Sequence, residues 1–163
     1  MDHIYRSGTK ELEKLLLALG SDILMDDAIS IILARDIKQS FPDFELQILP
    51  VGGIGLIELI AGFNLVVIID TMISTYAKPG DMVILNDIQT ARTLHLQNPH
   101  DVDFITSIKL AEELGYRMPE RIVVLGIQVS QHLIASRAPS SRILEKYSKL
   151  VEQTTTIIRQ LNA

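Results

Sequence analysis

Five short apolar runs constrain this chain more than any other feature: LLLAL at 15–19, ELQIL at 45–49, LVVIID at 65–70, MVIL at 82–85 and RIVVLGIQV at 121–129. Rich in Val and Ile and bounded by Gly, Pro, Asn or Asp, they read as five strands. Their apolarity is mostly continuous rather than alternating, the pattern of strands covered on both faces. Between them the period changes. Ile29, Ile32, Leu33 and Ile37 recur at helical spacing, as do Val102, Ile105, Ile108, Leu110, Ala111 and Leu114. The clearest stripe is the last: Ile143, Tyr147, Leu150, Val151, Thr154, Ile157, Ile158 and Leu161 predict a C-terminal helix with Ser140 or Ser141 as N-cap after Pro139. Strands alternating with helices define a three-layer α/β/α sandwich.

One connection departs from the alternation. TMISTYAKPGD, between the third and fourth strands, holds a Pro-Gly turn and is too short and broken for a helical crossover, so the fourth strand is expected to be an antiparallel edge strand. No repeat, low-complexity tract or linker divides the chain, and residues 1–163 are expected to form one domain, with 1–13 a loose N-terminal segment. A chain of this length buries roughly 70% of the surface its unfolded form exposes.

Charge and composition remove whole classes of partner. The net charge is -5 and Lys and Arg are nowhere clustered, so the basic footprint that nucleic acid or an anionic membrane requires is missing. No signal-peptide pattern opens the chain and no 18-residue apolar run occurs, which makes a cytoplasmic location the expectation. There is no cysteine, so disulfides, thiolate metal sites and a thiol nucleophile are excluded. The motifs G-x-S-x-G, H-E-x-x-H and the P-loop are also absent. GGIGLIE carries Glu58 where a dinucleotide fingerprint needs glycine, and reads instead as a tight turn into a helix.

In an open α/β sheet ligands collect beyond the carboxyl ends of the strands, which singles out Asp26 and Asp27 after the first strand and Asp70 at the end of the third. Asp26 can serve as a helix N-cap, and helix-dipole compensation can account for Asp27. Asp70 leaves a buried strand, where an unpaired charge is costly; a cation, N–H donors or water could compensate it, as could capping of the TMIS turn. His3 stands near the loose terminus and His132 beyond the last strand. His95 and His100 flank LQNP in an irregular loop, with His100 just before Asp101, the expected N-cap of the next helix. Beside Asp27 and Asp70, His100 would complete an O, O, N set with open positions, suited to a divalent metal such as nickel or zinc.

The ordered series GSDILMDDAI, VGGIGLIEL, VVIID and LHLQNPHDVDF resembles the hydrogenase maturation proteases, endopeptidases that trim the large-subunit precursor of nickel-iron hydrogenases. The similarity runs from about Leu15 to the final helix. It implies a five-stranded mixed sheet of order 2-1-3-5-4, metal-contacting residues at Asp27, Asp70 and His100, and a neighbouring acid at Asp26. It also implies a partner, the precursor, which already holds nickel when its C-terminal peptide is removed. Under it, Asp26 and Asp27 are the candidate catalytic acids, Asp26 orienting water or acting as base. The family usually has Gly-Asn where this chain has Gly20-Ser21, and commonly Gly where it has Ala28; neither change removes a proposed ligand. Asp27 and His100 are expected to be surface-cleft residues whose loss spares the fold.

Two other functions use the same residues. A non-catalytic partner could check the precursor for nickel without cutting it. A phosphoacceptor receiver domain also gathers acids around Mg²⁺, but here VILND lacks a Ser or Thr and VVLGIQV a lysine.

Overall fold

A computed structural model describes residues 13–50, 54–86, 93, 96, 104–130 and 138–163. All five expected strands form: β1 (Lys14–Leu19), β2 (Phe44–Leu49), β3 (Leu65–Met72), β4 (Met82–Leu85) and β5 (Arg121–Gln128). They make one sheet of order β2-β1-β3-β5-β4. β1 lies parallel to β2 and β3, β3 parallel to β5, and β4 antiparallel to β5 at the edge. The Pro-Gly turn makes that reversal possible. The Asp81 N–H donates to the Lys78 carbonyl at 2.9 Å, with Pro79 and Gly80 between them and Gly80 at φ +83, a conformation that favours glycine.

β3 differs from expectation at its end. It runs two residues past Asp70, through Thr71 and Met72, because β5 goes on pairing with it as far as Gln128 while pairing with β1 stops at Ala18 and Ile69. Asp70 is therefore inside a strand, on an overhang beyond β1.

Alternation along the strands builds two cores. Leu16, Ala18, Val67, Ile69, Leu125 and Ile127 face one layer, formed by α1 (Ile29–Lys38) and by α4 (Ser141–Glu145) with α5 (Tyr147–Leu161). Leu15, Leu17, Val66, Ile68 and Val124 face the other, formed by α2 (Ile54–Ile60) and α3 (Phe104–Glu113). Val and Leu on both parities of β1 and β3 thus have a helix to meet, which explains their continuous apolarity.

The C-terminal stripe forms two helices rather than one, broken at Lys146 (φ -98, ψ 2). There the Lys146 ammonium donates to Asp81 Oδ1 at 2.7 Å and its stem lies over Gly80, where a Cβ would come within 2.7 Å of Lys146 Cδ. The Lys146 bond is the main cause holding the Asp81 carboxyl below its ordinary pKa. Further along, the Tyr147 hydroxyl donates to Asp36 on α1, and burial together with that bond pushes its pKa up.

α5 is fastened mainly by its apolar stripe. Leu150 is fully buried against the α1 side of the sheet. Leu150→Ala is expected to lower unfolding free energy by roughly 2 to 5 kcal/mol, from lost burial plus the residual cavity, read from denaturant melts at unchanged m-value.

Candidate functional site

The order β2-β1-β3-β5-β4 places its switch point between β1 and β3, because the connection leaving β1 leads outward to β2 and the chain then returns to β3 on the other side. Asp27 follows β1 and Asp70 lies in β3, so the two acids flank that crevice.

The GSDILMDDA segment turns sharply out of β1. The Gly20 N–H donates to the Leu49 carbonyl at 3.0 Å, and a 3-10 turn over Met25–Ala28 runs directly into α1. In such a turn successive side chains project about 120° apart. That spacing answers why two acids stand side by side: each reaches a different element. The Asp27 carboxylate points inward, accepting the Ser21 N–H at Oδ2 (2.8 Å) and the Thr71 hydroxyl at Oδ1 (2.5 Å). Asp26 points toward the C-terminal helices, accepting the Ser140 N–H at Oδ1 (2.6 Å) and the Ser140 hydroxyl at Oδ2 (3.0 Å). Asp26 is thus no cap of its own helix; α1 has Ala28 at its N-cap with no side-chain bond. It satisfies instead the N-cap residue of α4, whose own side chain makes no capping bond.

Asp70 Oδ1 accepts the Thr71 N–H at 2.7 Å, so strand-end N–H donation contributes to compensating its buried charge. One residue, Thr71, therefore contacts both acids. By alternation its side chain shares the face of Ile69, the α1 side, where Asp27 lies, while Asp70 shares the parity of Ile68.

Exposure corrects one expectation. Asp27 was expected on a surface cleft, but it is 1% exposed, and Asp70 is 0% exposed. The cause is the close approach of the turn to the overhanging end of β3, which closes over the carboxylate. Removing Asp27 altogether would leave the Ser21 N–H and the Thr71 hydroxyl without their acceptor. His100, the third expected ligand, lies outside the described residues, as do His3, His95, His132 and Asp101. Among the described residues no three His, Asp or Glu side chains form a group that could hold a metal.

Several polar residues at this edge carried no functional expectation. Ser21, noted only as a turn residue, offers its hydroxyl to the Ile23 N–H at 3.4 Å. Gln128, buried at the end of β5, accepts both the N–H and the hydroxyl of Ser74 (2.9 and 2.7 Å) and so ties down the segment after β3. The available signal for Thr71 was parity: a polar residue two positions after Ile69, on the α1 face of the sheet.

A mixed doubly wound sheet with buried acids on both sides of its switch point defines a class, an α/β/α protein with an acidic site at the carboxyl edge. Narrower evidence comes from comparison. A family model described as hydrogenase maturation protease matches residues 16–157, and the chain belongs to that family. The fold is shared by the hydrogenase maturating endopeptidase HybD of Escherichia coli, at 20% identity and a TM-score of 0.67, over 91% of this chain and 93% of that one. It is shared too by the [NiFe] hydrogenase maturation protease HybD of Thermococcus kodakarensis, at 24% identity and 0.60, over 89% and 98%. HycI of Thermococcus kodakarensis KOD1 gives 23% and 0.59, over 91% and 93%. No curated protein sequence matches the chain.

Proposed function

We propose that this protein is the endopeptidase that removes the C-terminal extension of a nickel-loaded hydrogenase large-subunit precursor, with Asp27, Asp70 and His100 reading the metal. The observation that carries this reading is the pair of buried acids flanking the switch point, at the two positions where the family resemblance assigns metal contacts. Family membership and the fold support it.

Nickel enters as part of the substrate. A metal held by the precursor can polarise the scissile carbonyl, replacing the serine or cysteine nucleophile this chain lacks as a motif. The chain's own work is to orient: two carboxylates and one imidazole leave coordination positions open, which suits a metal arriving on another protein. Asp26 enters as the candidate base. Both its oxygens accept from Ser140, a structural clamp that leaves only their remaining lone pairs to take a proton from water. That same engagement favours the second reading, a partner that checks the precursor for nickel without cutting it. The receiver alternative is set aside by topology, since a receiver sheet has the order 2-1-3-4-5. No described helix is long and apolar enough to cross a membrane, and the reaction is proposed to be cytoplasmic.

One assay separates the readings. Purified protein is mixed with nickel-loaded and with metal-free precursor, and both binding and C-terminal trimming are followed. Cleavage of the loaded form alone is expected. Selective binding without trimming would establish the checking partner, and equal binding and cleavage of both forms would overturn metal reading.

A further inference from the structure

Resting on the site reading above, we propose that Thr71 is the positioning residue of the metal-reading pair, holding Asp27 and Asp70 in a fixed mutual arrangement. It is fully buried, yet every polar contact shown for it serves an acid: its hydroxyl donates to Asp27 Oδ1 at 2.5 Å and its N–H to Asp70 Oδ1 at 2.7 Å. The bond to Asp27 spans 44 residues of sequence and ties the turn after β1 to the overhang of β3.

The geometry gives this bond a specific consequence. A carboxylate on a short side chain has two soft torsions, and a metal ligand must present one oxygen in one direction. Ser21 fixes Oδ2 from the turn's own backbone. That bond lies within one loop and does not by itself tie the carboxylate to the sheet. Thr71 supplies a point of attachment outside that loop, on a strand locked on one side by β5, in register at Thr71↔Ile127. The carboxylate is thereby referenced to the sheet. Asp70 is referenced to the same residue through the N–H, so a displacement of Thr71 moves both acids together rather than apart. Groups that orient metal ligands in this way commonly change affinity or activity 10- to 100-fold when removed.

Threonine also suits the position on structural grounds, being β-branched and at home in a strand. The test must therefore separate shape from the hydroxyl. Thr71→Val keeps the branched outline and removes the donor; Thr71→Ser keeps the donor and removes a methyl. Steady-state trimming of nickel-loaded precursor, and binding of both the nickel-loaded and the metal-free forms, are measured for both, beside wild type and Asp27→Asn. For Thr71→Val we expect KM for loaded precursor to rise roughly 10- to 100-fold, with a much smaller change in kcat. Its preference for loaded over metal-free precursor should fall by a similar factor, and Thr71→Ser should stay within a few-fold of wild type in both. A merely structural role would scale down the active fraction and leave KM and preference unchanged, and that outcome overturns the proposal. If Thr71→Val does not fold, Thr71→Ala against Thr71→Ser makes the same comparison. Trimming by Asp27→Asn at the wild-type rate would instead reject the site itself; an inactive Asp27→Asn beside an unaltered Thr71→Val would reject only the role given to Thr71.

Discussion

Asp27→Asn is expected to fold and yet to lose trimming of nickel-loaded precursor by roughly 100-fold or more, a larger effect than the loss of a group that only orients a ligand. The choice of asparagine follows from the bonds that the native side chain makes to Ser21 and Thr71. Its amide oxygen can accept the Ser21 N–H as Oδ2 does, and its amide nitrogen can donate to Thr71 Oγ1 once that hydroxyl rotates. Only the charge and one acceptor are removed, and with them most of the attraction for a cation. Asp27→Ala confounds this, because the buried Thr71 hydroxyl would lose its acceptor at a cost of about 1 to 3 kcal/mol, and the half-buried Ser21 N–H would lose its own. Asp26→Asn beside it sorts the two acids. As a clamp it keeps an acceptor for the Ser140 N–H, so trimming that survives in Asp26→Asn would leave Asp26 an anchor of α4, while loss at unchanged melting would support its role as base. Wild-type trimming rates in Asp27→Asn would remove Asp27 from the site.

The contrast between the two acids marks where sequence reading stops. All five strands were legible because their continuous apolarity can be satisfied only between two helical layers, and the antiparallel edge because TMISTYAKPGD leaves no room for a crossover. The family resemblance added the order of the strands. What periodicity could not convey is the direction of individual polar side chains. Asp26 and Asp27 are neighbours in sequence and identical in chemistry, yet one meets Ser140, 114 residues away, and the other Thr71, 44 residues away. Those partners depend on how far β3 overhangs β1 and on where α4 begins, which are properties of the assembled sheet. The break at Lys146 escaped for a similar reason: it coincides with contacts to Gly80 and Asp81, remote in sequence, while the apolar stripe runs through it without interruption.

Gly20→Ala is expected to be the most damaging small substitution at the site, because the space that a methyl group needs is already filled by atoms that cannot yield. A Cβ at this position would lie 2.5 Å from the Asp27 carbonyl oxygen and 2.6 Å from Ser30 Oγ, on a backbone at φ +155. The first is main chain, in the turn that carries both acids. The second is a buried hydroxyl already donating to the Leu19 carbonyl at 2.5 Å. The flexible end of a side chain could move aside, but here the turn itself must. Overpacking of this kind costs about 1 to 3 kcal/mol, a fall in melting temperature of roughly 2 to 12 °C for a chain of this size. The functional loss should exceed what that instability explains. A displacement of about 1 Å in a positioning element can cost on the order of 100-fold in rate, so trimming should fall at temperatures where the variant is fully folded. Gly55→Ala is the matching control: it lies in α2 with nothing within 4 Å of an added Cβ. There alanine gains about 0.5 to 1 kcal/mol of helix propensity over glycine and should leave trimming intact. If Gly20→Ala melts and trims as Gly55→Ala does, Asp27 is not held by the close packing of its turn, and the account of how the sequence aims that carboxylate fails with it.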